Sequence, residues 1–333
     1  MSNKSEEKSL LEIKNLKIEY RTLEGIIYAV NGLNLKIKEG SAFGLVGETG
    51  AGKTTTALCA MGLLPNPPGI VTEGQIIYKN KDLLKISEKY YQTIRGNEIT
   101  MIFQNPMSCL NPLMSIGHQV AEVINYHQKV GTYQALKKAI EMLKLVGISE
   151  ERLFNYPHEF SGGMKQRVMI AMSLACNPML LIADEPTTAL DVTIQAQIIS
   201  LLKQLISKTK NSLLLITHDF GLVAELCDEV AVMYAGRIVE AGPIEEIFNK
   251  FYHPYIKGLF ESIPQLEKDV NRLKNIPGLS PDPRSLPSGC SFSPRCFRAI
   301  PKCFKNKPDL VTLDNDHKVA CWNRLRGGSE NDN

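Results

Sequence analysis

Three features of the 333-residue sequence predict an α/β fold built on a largely parallel sheet. Short apolar runs alternate with helical segments from about residue 41 to residue 250, the order expected of strands covered by helices. Some of those runs, such as MLLIAD (179–184), are apolar up to a polar last residue, as fully buried strands are. Hydrophobic residues make up 44% of the chain, enough to fill a sizeable core.

Taken in order, LLEIKNLKIEY (10–20) and the stretch Ile26 to Ile37 alternate apolar and polar residues, the signature of half-buried strands. SAFGLVG (41–47) is an apolar strand running into a Gly-rich turn. TTTALCAMGLL (54–64) has helical spacing and stops before Pro65, Pro67 and Pro68. GQIIYKN (74–80) reads as a short strand, and residues 86–160, mostly helical after Gln104, as an inserted helical region. Helices follow at VMIAMSLA (168–175), TIQAQIISLLKQLISK (193–208) and GLVAELC (221–227), with strands at MLLIAD, SLLLITHD (212–219) and EVAVMYAG (229–236). PIEEIFN (243–249) places Pro243 at a first helical position. After Pro254 the periodicity breaks, and residues 264–289 read as a proline-rich extended linker. The expected division is a main domain over 1–255 and an accessory domain over 256–333.

Charge is nearly balanced, 38 Lys+Arg against 35 Asp+Glu, which argues against a nucleic-acid binder. MSNKSEEKS carries no apolar stretch of the kind a signal peptide needs. No apolar run approaches the ~18 residues that span a bilayer. The expectation is a cytosolic protein, where stable disulfides are disfavoured.

GETGAGKT, Gly47 to Thr54, fits the pattern of a phosphate loop between a strand and a helix. Its backbone (Gly47, Glu48, Thr49, Gly50, Ala51, Gly52) can turn N–H groups inward, and the helix that follows adds its positive dipole end. Lys53 can reach the β- and γ-phosphates, Thr54 can ligate Mg²⁺, and Thr55 can donate to the α-phosphate. The strand MLLIADE ends in Asp184, suited to the Mg²⁺ region, and Glu185, where a carboxylate can take a proton from water. Gln104 and His218 also follow strands, and ligands sit at the carboxyl ends of parallel strands. In FSGGMKQR (160–167), Ser161 is an N-cap candidate, and Gly162 and Gly163 open a second helix N-terminus that could face a γ-phosphate. One chain cannot easily fold both turns onto one ATP, which points to a partner chain.

These motifs in this order, GETGAGKT, Gln104, SGGMKQ, LLIADE, Ala189-Leu190-Asp191 and His218, resemble ABC ATPases over about residues 10–260. The resemblance implies a cassette with a mainly parallel nucleotide-binding core, an antiparallel β subdomain and the inserted helical subdomain. It also implies two cassettes head to tail, each ATP held by one chain's phosphate loop and the other's signature. It further implies Tyr20 stacked on adenine, with Tyr28 nearby as an alternative, and Gln104 joining Mg²⁺ and the attacking water to a transmembrane subunit. Glu185 would be the general base, His218 the γ-phosphate switch and Asp191 the communication loop across the dimer. Met164 departs from the common signature, which has Gln there.

HPYIKGL (253–259), IPG (276–278), PSGCSFSPRC (287–296), Cys303 and the pair Cys321-Trp322, with QNPMSCLNP (104–112) and the MKQR signature, narrow the resemblance to ATP-binding subunits of dipeptide/oligopeptide importers. That implies permease subunits, a second ATPase chain (a homologue in the cell, a homodimer in isolation), indirectly an extracytoplasmic peptide-binding protein, and a place on the cytoplasmic face of the membrane. The alternative is a soluble non-transport ABC ATPase, which usually carries two cassettes or long insertions; neither is visible here.

The tail cysteines are spaced Cys290-x5-Cys296-x6-Cys303-x17-Cys321. On chemistry alone they suit zinc, a cluster or free thiols, and His317 could replace one zinc ligand. The family resemblance implies a [4Fe–4S] ligand set, with zinc as the alternative and Phe292, Phe297, Phe304 and Trp322 as its apolar shell.

Overall fold

The computed structural model describes residues 8–105, 109–188, 190–262 and 276–325. Ala189 and residues 264–275 of the expected linker lie outside them.

The alternating N-terminal segments form strands Ser9–Thr22 and Gly25–Lys38, antiparallel with Tyr20 opposite Ile27. Gly69–Tyr78 pairs with the other edge of the first strand, and Lys81–Asp82 completes a four-stranded antiparallel sheet. Leu11, Ile13, Leu16 and Ile18 are buried while Glu19 and Arg21 face outward, so the alternation is that of one covered face.

The second sheet has eight strands. Five run parallel, in the order Ile99–Ile102, Leu180–Asp184, Ser212–Thr217, Ala42–Val46 and Glu229–Tyr234. Arg237–Pro243, Lys318–Val319 and Val311–Thr312 extend it antiparallel. The central strands are apolar throughout because each face has its own core. Leu181, Ala183, Leu213 and Leu215 pack towards the helices, whereas Leu180, Ile182, Leu214 and Ile216 pack towards the antiparallel sheet. Each such Leu or Ile side chain, fully buried, contributes about 1.5–3 kcal/mol of transfer free energy.

The phosphate-loop helix is Lys53–Ala60, and Gly62 at φ 62° turns the chain before the prolines. Residues 86–160 contain helices Ile116–Gln128 and Thr132–Leu145, but also the strand Ile99–Ile102, which belongs to the main sheet. The signature helix spans Gly162–Leu174, and the amphipathic segment forms Val192–Thr209. Pro243 is not the first residue of its helix; it still pairs with Glu229 in the sheet and serves as the N-cap of Ile244–Asn249.

The chain past residue 253 is more ordered than its broken periodicity implies. His253 caps helix Pro254–Glu261, accepting at Nδ1 from the Tyr255 amide at 3.1 Å. An eight-residue helix shows too few turns to declare a period, yet it buries Tyr255 and Ile256 in the helix-side core. Further on, Val319 pairs with Glu240 on the sheet edge. Glu240 is fully buried and accepts from the amides of Tyr252 (2.9 Å) and His253 (2.6 Å), and lies 2.6 Å from His317 Nε2. A buried carboxylate requires such partners. They tie the C-terminal segment to the main sheet.

Candidate functional site

The loop Gly47–Lys53 leaves the central strand Ala42–Val46 and enters its helix at the carboxyl end of the parallel strands. Gly52 takes φ 99°, and a Cβ there would come within 2.3 Å of the Ala29 carbonyl oxygen. Gly47 has no room either, since a Cβ would meet the Met233 carbonyl oxygen at 2.2 Å. Lys53 is buried, and its Nζ donates to the carbonyls of Gly47 at 2.6 Å and Glu48 at 3.0 Å. Burial pushes the Lys53 pKa down, against the pull of Glu185, Asp184 and Glu48. Burial outweighs that pull, and the Nζ hydrogen bonds go to neutral carbonyls rather than to a carboxylate.

Asp184 ends the next strand but one, buried to 2% exposure. Its Oδ1 has no hydrogen-bond partner, the Thr54 hydroxyl bonds the carboxylate, and burial raises its pKa. A buried carboxylate oxygen without a donor, next to a hydroxyl and above a phosphate-type loop, is a donor set that fits Mg²⁺.

Glu185 follows with φ 46°, a left-handed conformation uncommon for a side chain of its kind. That backbone turns the carboxylate towards the ends of the neighbouring strands. Gln104 Nε2 donates to Oε2 at 3.1 Å, the Thr188 hydroxyl donates to Oε2 at 2.8 Å, and His218 Nδ1 lies 3.2 Å from Oε1. Burial works to raise the Glu185 pKa, but the Thr188 and His218 hydrogen bonds and the charges of His218 and Lys53 outweigh it, and the net shift is downward. Glu185 is therefore an ionised acceptor held by three side chains. Gln104, Glu185 and His218 come from three different parallel strands, and the structure brings them together.

Tyr20 Oη lies 3.2 Å from Thr55 Oγ1, placing that ring beside the first turn of the phosphate-loop helix. Tyr28 lines a cavity with Glu48, Thr49, Gly50 and Ala51. Ser161 Oγ accepts from the Met164 amide and caps Gly162–Leu174. Gly163 packs against the next helix so closely that a Cβ would lie 2.5 Å from Ile194 Cγ2. Met164 Sδ is 3.9 Å from Arg152 Nη1. Asp191 caps Val192–Thr209, accepting from the Ile194 amide at 2.9 Å. Thr188 was missed on sequence; an acceptor placed three residues before a hydroxyl was the available signal. Tyr255 and Arg295, which both touch Glu48 of the phosphate loop, were missed as well, because their chain separations of 207 and 247 residues carry no local signal.

Cys290, Cys296, Cys303 and Cys321 line one small cavity, with Phe292 and Trp322 beside them. No disulfide joins any cysteines. Burial raises the thiol pKa values of Cys290 and Cys296, and pushes Cys321 up to about 12. Two expectations are corrected. His317 does not stand in for one of the zinc ligands: its Nε2 lies 2.6 Å from Glu240 Oε1, and it is not part of this lining. Phe297 and Phe304 are 61% and 52% exposed, so they do not shield the cavity. Among the described residues no group of three or more His, Cys, Asp or Glu is gathered closely enough to hold a metal ion, so the [4Fe–4S] expectation has no ready-made metal site behind it. The shared cavity shows convergence of the four thiols, not coordination geometry.

Residues 30–188 match the ABC transporter family, and residues 239–303 match the oligopeptide/dipeptide transporter C-terminal region. The chain is 47% identical to the oligopeptide transport ATP-binding protein AppD of Bacillus subtilis, over 97% of this chain and 99% of that one. It is 47% identical to the dipeptide transport ATP-binding protein DppD of the same organism, over 94% of each. Among solved structures, the ATP-binding cassette MJ0796, a dimer in a post-hydrolysis state with ADP and Pi, is 29% identical and covers 70% of this chain and 98% of its own, with a TM-score of 0.63. With that fold, that loop and those relatives along nearly its whole length, the chain belongs to the ABC transporter ATP-binding proteins, in the branch of the oligopeptide and dipeptide transport subunits.

Proposed function

We propose that this chain is the ATP-hydrolysing subunit that powers import of di- or oligopeptides through partner transmembrane subunits. The observation that carries the ATPase reading is the convergence of Gln104, Glu185 and His218 at the strand ends beside Lys53 and Asp184. Glu185 accepts a proton from the attacking water, and His218 and Lys53 stabilise charge that develops on the phosphoryl oxygens. Catalysis here is positioning plus electrostatics. Thr54, Asp184 and Gln104 would hold Mg²⁺, which when bound neutralises charge on the phosphate oxygens. Tyr20 is the reading for adenine stacking; its contact to Thr55 supports it.

Ser161, Gly162 and Gly163 present a helix N-terminus, an anion site suited to a second cassette's γ-phosphate. We assign Asp191 to communication across that dimer. Leu113, Phe154 and Tyr156, exposed at 85%, 61% and 42% around the inserted helices, offer an apolar surface on which permease subunits can seat. No helix among the described residues is long and apolar enough to cross a membrane, so membrane attachment in this reading runs through those partners. The division at about residue 255 is retained as a functional one, a cassette with a C-terminal accessory lobe.

The finer proposal for Cys290, Cys296, Cys303 and Cys321 is a [4Fe–4S] ligand set, with zinc as the alternative. What supports it is that all four cysteines line one cavity. Visible absorbance and iron, sulfide and zinc analysis of anaerobically prepared protein test it; colourless protein with stoichiometric zinc refutes the cluster. For the main reading, the protein should co-purify with integral membrane subunits, and Lys53→Ala should weaken ATP binding. Recovery with ribosomes or DNA instead would overturn it.

A further inference from the structure

Two of the tail signatures, HPY and PRC, touch one residue of the phosphate loop, and the third, IPG, holds the arginine that does so. Arg295 Nη1 donates to both carboxylate oxygens of Glu48, at 2.9 and 3.2 Å, and its side chain is only 7% exposed. Its Nε and Nη2 are held by the carbonyls of Pro277 (3.1 Å) and Ile276 (3.4 Å), and Nη1 also reaches Tyr234 Oη at 3.3 Å. The Ser280 hydroxyl donates to the same Glu48 carboxylate. From the helix that begins at Pro254, Tyr255 Oη accepts the Glu48 amide at 3.2 Å. A carboxylate in a loop that must collect phosphates is a liability unless it is neutralised, and Arg295 is the cation that neutralises it. A guanidinium suits this task, since its fork satisfies the carboxylate and the two carbonyls together.

We propose that Arg295 is a positioning residue for ATP: the C-terminal lobe holds a guanidinium against the Glu48 carboxylate and cancels its charge beside the phosphates, so nucleotide affinity depends on how that lobe is seated. The inference rests on the ATP-site reading above and does not require any metal at the cysteines. Arg295 lies immediately before Cys296, which lines the cysteine cavity.

The test is a Mg-ATP titration and steady-state kinetics on the full chain. Arg295→Met should weaken ATP binding roughly tenfold by leaving the Glu48 charge uncompensated, and leave kcat at saturating ATP within about threefold. Glu48→Gln combined with Arg295→Met should recover most of that loss, which a purely structural arginine would not allow. Arg295→Lys, which keeps the charge but not the fork, should fall between. Wild-type affinity in Arg295→Met alongside lost affinity in Lys53→Ala overturns the proposal and leaves the ATP site standing. A double variant no better than Arg295→Met also overturns it. Should Arg295→Met not fold, Glu48→Gln and Arg295→Lys decide: Glu48→Gln must bind ATP at least as well as the wild type, and a tenfold loss overturns the proposal. If the wild type and Lys53→Ala bind ATP equally, the ATP-site reading itself fails, and this inference with it.

Discussion

Glu185→Gln separates proton acceptance from the architecture around it. The carboxylate Oε2 takes two hydrogen bonds, from Gln104 at 3.1 Å and Thr188 at 2.8 Å, and a glutamine oxygen at that position can take both. The new amide then faces His218 Nδ1, at 3.2 Å in the wild type, and can donate to it in the appropriate tautomer. The left-handed backbone, φ 46°, costs the two residues about the same. The substitution therefore removes a negative charge and a proton acceptor while keeping shape and contacts. General-base catalysis contributes about 10²–10⁴-fold, so kcat should fall by that factor, about 3–5 kcal/mol in barrier. The KM for ATP should stay within about threefold, because Glu185 is not assigned to ground-state binding. Phosphate release from the full chain under saturating Mg-ATP reads kcat, and an ATP titration reads the binding side. A kcat within threefold of the wild type refutes Glu185 as base. A large rise in KM with unchanged kcat would show that its role is binding instead.

Asp184→Asn should stabilise the nucleotide-free chain by about 1 kcal/mol, since it removes a buried charge with an unpartnered oxygen, and should reduce the gain in Tm produced by Mg-ATP; thermal melts with and without Mg-ATP check both. Gly163→Val must displace Ile194, 2.5 Å from the Cβ position, and should cost about 1–3 kcal/mol in urea unfolding while weakening any ATP-dependent dimer seen by light scattering. His253 is driven down to about pKa 3 by complete burial, so its folded value lies below its ordinary 6.5. The unfolded chain then binds the extra proton, and stability is present above pH 6.5 and lost as pH falls towards 3, at up to about 1.4 kcal/mol per pH unit. His253→Asn keeps an N-cap acceptor and should flatten that acid slope in denaturation midpoints between pH 6.5 and 4.

Much of the cassette was legible because its signals are local. Gly47–Thr54 declares a strand, a turn and a helix within eight residues, and Leu180–Asp184 and Ser212–Thr217 are apolar enough to be read as buried strands. Ile99–Ile102 was legible as a short apolar strand ahead of Gln104, but its parallel pairing with Leu180–Asp184, which takes it out of the helical insert and into the main sheet, has no local signal. Helix Pro254–Glu261 was invisible for a related reason, being held by tertiary burial of Tyr255 and Ile256 rather than by a long amphipathic repeat.

What the sequence determined by itself was chemistry: a phosphate loop, acids and polar groups at strand ends, a second anion-type helix start and four clustered thiols, in an order that matches one family. Those are statements about residue types at fixed local spacing, and local spacing survives without coordinates. The tertiary structure decided which groups meet. It joined Gln104, Glu185 and His218 across three strands, assigned His317 to Glu240 rather than to the cysteines, and set Arg295 against Glu48. Such pairings depend on sheet order and on where the tail returns to the sheet edge. Contacts between residues 81 or 247 positions apart leave no periodic trace in the chain, so only the packed fold can reveal them.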